Sequence, residues 1–574
     1  MHLSTQILVA LCGFLICFSQ VQAAEVLESL AKLYIPYDYD SSGNGLYGIN
    51  KAAVEQSAYD EDARILYAAG DKYIHIIQLS TYLSILKRFP LPAGRAANDI
   101  EICGDYIAYV IEGQTSQANG TLIVRGKYNI NTKEWPVTSE IQVGSKPDML
   151  KFNHLCTVIM TANEGEAGGP DQNTFINPEG SISIVENFAS STPSVTTLDF
   201  RKFNNVADKL ERWGVRAPYK GYLSGDSYNT FSQNMEPEYI GISKDDRTAY
   251  VCLQENNAIA VVDIEQRTIT DLIPLGTKSW GQIYIDGSDK DDKIFPEDKK
   301  YDIFSFYQPD AIKVFSFNNT DYIFTANEGD RFEYELGSDD WDEGIRGKDL
   351  YNGDEGVELS DSMSSNLKDQ LKDNDELGRL KFSRTDGLDD DGKVLRPHFF
   401  GARGVSIFRP YGVPSLKNIE RVWDSADDVE RRMKESYPDV FNGDTKPDEA
   451  DNETPGDLQD SRSDNLGPEC ESIEFGEING KTYAFFGIDR SAAILIYEIV
   501  LPTSTSDMEL RFVDVKRDGG TSQTYQELLE ERNLGDLDPE DLRFVPASKS
   551  PFYRPMLIVT STVSGTIQIY EVNL

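Results

Sequence analysis

Histidine and cysteine are scarce in this chain of 574 residues, with four and six copies respectively. Beyond the N-terminus only His75, His154 and His398 remain, and their spacing fits no zinc site. Cys12 and Cys17 fall in the apolar N-terminus, which leaves Cys103, Cys156, Cys252 and Cys470. Four cysteines in so long a chain do not make a disulfide scaffold, although a single bridge stays open. No G-x-S-x-G elbow occurs. Asp424-Ser425-Ala426 matches the tripeptide around an alkaline phosphatase nucleophile, but three residues establish neither the roles nor the geometry of a site. These shortages assign no catalytic residue and suit a binding protein better than an enzyme.

Basic residues are also outnumbered. Asp and Glu total 96 against 55 Lys and Arg, a formal net charge of −41. Such a surface repels nucleic acid and anionic membranes and favours cations, basic partners or a cationic mineral face. Simple solubility is served by the same composition. Aromatic residues make up 11% of the chain, which excludes a disordered acidic polymer.

Long apolar runs are missing after the first residues. Residues 7–18 are apolar, too few and too early for a membrane span. Val21-Gln22-Ala23 follows with small-residue spacing, so residues 1–23 read as a secretory signal, although only His2 adds positive charge. The C-terminus, residues 565–574, alternates like a strand and carries Gln568 and Glu571, unlike the hydrophobic tail of a GPI signal. The expectation is a secreted chain without a membrane span or GPI anchor, residues 24–574 forming its mature part. In that setting the sequons at Asn119 and Asn318 are glycan acceptors, while Asn452, with Pro455 directly after its sequon, is a poorer one.

What the chain has in abundance is a repeat. Glu236-Pro237-Glu238 opens one copy, and a short apolar strand follows. A second strand ends in Gln254-Glu255-Asn256-Asn257, and two more alternating strands complete the unit. Four short strands per unit is the period of a propeller blade. Lys146-Pro147-Asp148, Gln308-Pro309-Asp310, Gly467-Pro468-Glu469 and Asp538-Pro539-Glu540 open other copies. Ala162-Asn163-Glu164-Gly165, Ala326-Asn327-Glu328-Gly329 and Gly487-Ile488-Asp489-Arg490 end second strands. The repeat predicts an all-β fold, a single β-propeller of about seven four-stranded blades. Residues 27–35 are expected to pair with the last blade, because an open ring leaves strand edges exposed. Acidic insertions interrupt it at about 331–393 and 428–465. Residues 428–437 read as a short helix and 444–464 as a mobile loop. Residues 337–376, poor in large apolar side chains, are expected to be the most protease-sensitive stretch.

These same segments, together with Leu253-Gln254-Glu255-Asn256-Asn257-Ala258, Gly401-Ala402-Arg403 and Asp460-Ser461-Arg462-Ser463-Asp464, resemble the choice-of-anchor I domain. The resemblance covers nearly the whole mature chain. That domain occurs in bacterial secreted proteins labelled alkaline-phosphatase-like, and in mesenchyme-specific cell-surface glycoproteins of echinoderm skeletogenic cells and their mollusc relatives. It implies a propeller and, for animal members, a role in calcified tissue. The chain departs from the family in lacking a lipid-anchor signal and in having Cys470 where proline is usual. Its loop Asp386-Gly387-Leu388-Asp389-Asp390-Asp391-Gly392 is not a full EF-hand loop, since His398 stands where the bidentate glutamate falls.

In a blade the first strand starts on the face where the second ends. Asp148, Glu238, Asp310, Glu469 and Glu540 should therefore meet Glu112, Glu164, Glu255, Glu328 and Asp489 around one funnel. Carboxylates crowded in this way repel unless a cation intervenes, they protonate, or they find donors. Calcium, which takes oxygen ligands in flexible number, suits Asp148, Glu164, Glu238, Glu255, Asp310, Glu328, Glu469 and Asp489. The competing reading gives each acid a turn to cap or an arginine such as Arg403, Arg462 or Arg490. By the same register Cys103 and Cys156 lie toward the opposite face of neighbouring blades, where a bridge is possible, and Cys252 and Cys470 are expected unpaired and buried. The functional expectation is a secreted acidic matrix protein that binds calcium or its mineral and partner proteins. The alternative is a carboxylate-metal hydrolase, phosphatase-like, in the channel.

Overall fold

The computed structural model describes residues 25–80, 82–169, 175–221, 228–334 and 340–574. The expected signal, residues 1–23, lies outside them. The chain is a β-propeller: the described residues contain seven four-stranded antiparallel sheets. Their innermost strands are Ser57–Asp60, Asp99–Cys103, Pro147–Phe152, Pro237–Ile242, Ile312–Phe317, Cys470–Ile478 and Asp541–Val545, in blades 1 to 7. Leu27–Tyr34 pairs antiparallel with Thr566–Val572 and supplies the outer strand of blade 7, as expected. Blade 7 also meets blade 1, where the backbone N–H of Ser57 donates to Asp541 Oδ2 at 3.1 Å.

Burial of both sheet faces explains the near-continuous apolar strands such as Ile65–Ala69 and Met556–Ser561. Each junction between neighbouring blades has its own apolar cluster. Ile76 packs with Ile107 between blades 1 and 2, and Val110 with Leu150 between blades 2 and 3. Ile184 with Val251, and Ile259 with Ile323, fill the next two junctions. Phe324 and Phe486, then Phe485 and Leu557, continue the series, and Ile558 with Leu66 joins blade 7 to blade 1.

A buried polar lock explains the repeated Thr-Ala-Asn. Thr161 Oγ1 donates to Asn163 Oδ1 at 2.9 Å, and Asn163 Nδ2 donates to Ser183 Oγ at 3.1 Å on the third strand. Blade 5 repeats it, with Thr325 on Asn327 at 2.8 Å and Asn327 on Ser406 Oγ at 2.9 Å. The following glycine is also fixed by geometry. Gly329 has φ +94°, and a Cβ there would lie 2.4 Å from the Gly401 Cα.

The acidic insertion requires a correction. Residues 337–376, read as poor in large apolar side chains, contribute Ile345, Leu350 and Leu371 to a buried cluster with Phe382, Trp280 and Tyr301. A five-stranded sheet, Thr277–Ser279, Phe304–Phe306, His398–Phe399, Lys381–Ser383 and Gly344–Arg346, backs that cluster. The apolar residues are sparse in any one window. They become a core only when residues 275–306, which the repeat leaves as a linker, fold over them. The helix Asp428–Ser436 forms where the sequence places it. Residues 444–464 are irregular but fastened down, with Thr445 Oγ1 donating to Asp489 at 2.7 Å and Ser463 and Asp464 buried.

The lock gives the first prediction. Asn327→Ala removes the main acceptor of the buried Thr325 hydroxyl, leaving it a 3.4 Å contact with Ser406 O, and an unsatisfied buried polar group costs about 1–3 kcal/mol. Chemical denaturation should show a loss of that size, whereas an unchanged midpoint would mean that the lock contributes nothing to the blade.

Candidate functional site

Strand pairing builds the site. Pro147 faces Asn163 and Pro237 faces Leu253, so each proline-acid opening lies beside the end of a second strand. The backbone repeats the join: Glu164 N–H donates to Lys146 O, Asp310 N–H to Ala326 O, and Asp489 N–H to Glu469 O, at 2.9, 3.1 and 2.9 Å. The carboxylates of all the central blades therefore reach one end of the channel.

Their mutual influence shows how closely they converge. Glu540, in blade 7, is pushed well above the usual carboxylate range, first by burial and then by Asp538, Asp310, Glu55 and Asp148, which come from blades 5, 1, 3 and its own loop. Burial, then Asp148, Asp538 and Asp330, raises Asp310 in the same way. Burial and Glu255 raise Glu238, and burial followed by Asp310 and Glu469 raises Glu328. Asp148 is raised by burial, with Lys146 opposing.

Of the eight sequence-predicted ligands, Asp148 is half-buried with the charge of Lys146 acting on it, and the other seven divide into two groups. Three are engaged by the chain's own cations. Lys146 Nζ lies 2.9 Å from Glu164 Oε2. Glu469 takes Arg462 on one oxygen and Arg490 on the other, both at 2.9 Å. Asp489 holds Arg490 at 2.9 Å. For these three the competing reading, capping by lysine or arginine, describes what is seen. Glu238 Oε2, Glu255 Oε2 and Asp310 Oδ2 are buried oxygens without a hydrogen-bond partner. Glu328 accepts only from Gln254 Nε2, at 2.7 Å, among its side-chain hydrogen bonds.

The tightest group in the funnel is one that the repeat only half exposes. Glu471, Asp538 and Glu540 each bring a carboxylate oxygen within 4.8 Å of the others. Glu471 Oε2 and Asp538 Oδ1 are buried and lack hydrogen-bond partners, and Lys446 Nζ stands 3.5 Å from Asp538. The missed residues carried a signal. Glu471 lies two positions after Glu469, and Asp538 two before Glu540, at the entrances of the innermost strands of blades 6 and 7. An oxygen-only set with open lone pairs fits a hard divalent cation such as calcium.

Below the carboxylates the channel narrows. The Tyr239 hydroxyl accepts from Gln56 Nε2 at 3.3 Å, reaching from blade 4 to blade 1. The cavity beyond, about 330 Å³, is lined by six carboxyl groups and three lysine or arginine bases, and three of the acids are paired. Lys151 meets Glu101 at 2.5 Å, Lys313 meets Glu474 at 2.7 Å and Arg543 meets Asp541 at 3.1 Å. The acids of this cavity outside those pairs are Asp99 and, shared with the funnel, Asp148 and Glu540.

The remaining candidates are scattered. His75 is buried against the Tyr39 hydroxyl at 3.1 Å, His154 meets Asp246 at 2.6 Å, and His398 stacks on Phe304 and Phe306. The buried Ser425 Oγ accepts from the Val405 N–H at 3.0 Å, a backbone brace. In the loop of residues 386–392, Asp386 pairs with Arg216 at 3.0 Å and Asp389 caps its own turn. Cys103 and Cys156 form a disulfide between blades 2 and 3, and Cys252 and Cys470 are buried free thiols. Asn119 and Asn318 are both exposed, Asn318 in the two-residue turn before Thr320–Asn327.

The family model of the choice-of-anchor I domain matches residues 55–502. The chain belongs to the choice-of-anchor I family. It is 25% identical to a mesenchyme-specific cell surface glycoprotein of Strongylocentrotus purpuratus, over 92% of this chain and 84% of that protein. It is 32% identical to Gigasin-3a of Magallana gigas over 34% of this chain and 65% of that one. Among solved structures, Saccharomyces cerevisiae Sqt1 overlaps 95% of this chain and 99% of its own at 7% identity, with a TM-score of 0.38. The choice-of-anchor I match spans the acidic ends of blades 3 to 5 together with Glu469, Glu471 and Asp489, and stops short of Asp538 and Glu540.

The crowding also sets a pH response. Burial, then Asp71, Asp148, Asp538 and Glu112, pushes Glu55 up to about 8, and burial pushes Glu164 to about 7 despite Lys146. A carboxyl raised in the folded state favours folding most when protonated, so its contribution is lost as pH rises through the folded-state value. The chelated protein should therefore melt progressively lower between pH 5.5 and 9, and Glu55→Gln should flatten part of that slope. A midpoint that climbs over this range would contradict the arrangement.

Proposed function

We propose that this protein is a secreted extracellular glycoprotein of calcified tissue whose acidic funnel binds calcium, as the free ion or at a mineral face. The observation that carries this reading is the convergence of Glu471, Asp538 and Glu540, with unpartnered oxygens and a single lysine nearby. Around them Asp310, Glu328 and Glu238 add a wide negative rim. A cation entering there relieves repulsion that no side chain of the funnel fully answers. The name of the Strongylocentrotus purpuratus relative, a cell surface glycoprotein, supports the extracellular, glycosylated part of the reading. The exposed sequons at Asn119 and Asn318 agree with it. The acidic surface suits basic matrix partners by the same electrostatics.

A ligand that binds only the folded state stabilises it by RT ln(1 + [L]/Kd), about 2.7 kcal/mol at a hundredfold excess over Kd. Millimolar calcium should raise the melting temperature of chelated protein. Glu471→Gln with Glu540→Gln should raise the calcium-free midpoint and blunt the calcium response. A double variant that melts lower without calcium and responds in full would remove the funnel from the account. Calcium- or magnesium-dependent phosphatase turnover abolished by the same pair would favour a hydrolase instead. On protein secreted from animal cells, Asn119→Gln and Asn318→Gln should each remove one glycan mass, and an unshifted mass would exclude that position as an acceptor.

A further inference from the structure

A second group of carboxylates lies outside the funnel, where the cap meets the propeller. Asp286 and Asp291 come from the segment joining blades 4 and 5. Asp460 comes from the stretch before blade 6, and Glu430 from the helix Asp428–Ser436 that follows blade 5. One carboxylate oxygen from each of Asp286, Asp291 and Asp460 lies within 4.8 Å of the other two. Asp286 is fully buried, and the Asp291 side chain is 5% exposed.

The surrounding donors answer this cluster in part: Asp286 accepts from the backbone N–H of Phe295 and, at 3.4 Å, of Ser288, and Asp291 from that of Lys293 at 3.1 Å. Arg403 Nη1 donates to Glu430 Oε1 at 2.8 Å and to the Asp286 carbonyl at 2.5 Å, and its other nitrogen donates to Ser463 O at 2.6 Å. Lys299 Nζ lies 3.0 Å from Asp291. Against four carboxylates these two cations leave two negative charges. Independently of the cluster, Glu430 Oε2 has no hydrogen-bond partner although the residue is 1% exposed. Hydrogen bonds tie Glu430 to the cluster, through Arg403 to the Asp286 carbonyl and through Asn442 and Ser463 to Asp460. The buried Asn442 Oδ1 is also unpartnered. Asn442 Nδ2 donates to Glu430 Oε1 at 2.9 Å and to Ser463 Oγ at 3.0 Å, and Ser463 Oγ donates to Asp460 Oδ1 at 2.6 Å. The open acceptors are Glu430 Oε2 and Asn442 Oδ1, and the buried Arg403 Nε is an open donor in the same bracket.

We propose that Asp286, Asp291, Asp460 and Glu430 form a calcium site that staples the cap to the propeller, with Arg403 and Asn442 holding the ligands in place. The set has no nitrogen or sulfur ligand to favour zinc. Several carboxylates on separate segments suit the variable coordination of calcium better than the strict octahedron of magnesium. The bound ion ties three stretches, residues 286–291, 430 and 460, that share no regular secondary structure. Its role is structural: it fixes the cap over residues 275–306 and 340–403 beside the funnel. The proposal stands apart from the funnel reading, because no funnel carboxylate takes part.

Calorimetric titration of chelated full-length protein with calcium chloride, and separately with magnesium chloride, tests it. Asp291→Asn changes a group on a loop turn and should leave the fold intact by circular dichroism. It should weaken one stoichiometric class of calcium sites at least tenfold and leave the class removed by Glu471→Gln with Glu540→Gln untouched. Asp286→Asn should weaken the same class. In the unaltered protein, calcium should slow protease cleavage within residues 344–382, and Asp291→Asn should abolish that protection. Calcium stoichiometry and affinity unchanged in Asp291→Asn, or equal tightness for magnesium, would overturn the site. If the funnel pair removes all calcium binding, the staple is likewise excluded while the funnel stands.

Discussion

The antiparallel register between the first two strands of each blade governs this structure. Pairing Pro147 with Asn163 and Pro237 with Leu253 brings an acidic opening and an acidic end to the same level, and the ring turns that local pairing into a crowd around one axis. In a medium of low dielectric constant such a crowd is costly unless charge is removed or balanced. Much of the rest of the molecule can be understood as a response. Lys146, Arg462 and Arg490 reach in to Glu164, Glu469 and Asp489, and Lys446 leans over Asp538 from the segment before blade 6. The lower channel is closer to balance, since Lys151, Lys313 and Arg543 each pair with an acid there. The upper mouth stops short of that balance, and the deficit is the basis of the cation reading.

The insertions extend this logic. They fold on a core of their own around Trp280, Leu350 and Phe382, and they bring Arg403, buried to its guanidinium, into a bracket that gathers residues 286, 430 and 463. Gly467 is small because of it, since a Cβ there would lie 2.9 Å from the Arg403 guanidinium. The motif Gly401-Ala402-Arg403 is thus an organising centre for the cap. Polar order inside the blades has a different source, the Thr-Ala-Asn locks, which cross-link second and third strands without any charge.

The repeat was legible because strand chemistry is local. Apolar runs, proline at the strand entrance and an acid at the exit recur within each unit, and the outer strand from residues 27–34 follows from the need to cover an edge. Burial of the acids around the axis followed from the same register. What the sequence hid was long-range. Leu371 and Trp280 are 91 positions apart, and neither window alone looks like a core. Whether an acid faces an arginine or an open cavity also depends on residues far away. Glu469 and Glu471 are two positions apart at the entrance of one strand, yet Glu469 is enclosed by Arg462 and Arg490 whereas Glu471 keeps a free oxygen.

The most direct examination of the central claim is anomalous diffraction from crystals of the chelated protein soaked in terbium, which occupies calcium sites. The account predicts a peak among Glu471, Asp538 and Glu540, with carboxylate oxygens at about 2.3–2.6 Å. An empty funnel, with those three side chains turned onto Lys446 or Arg490, would contradict it.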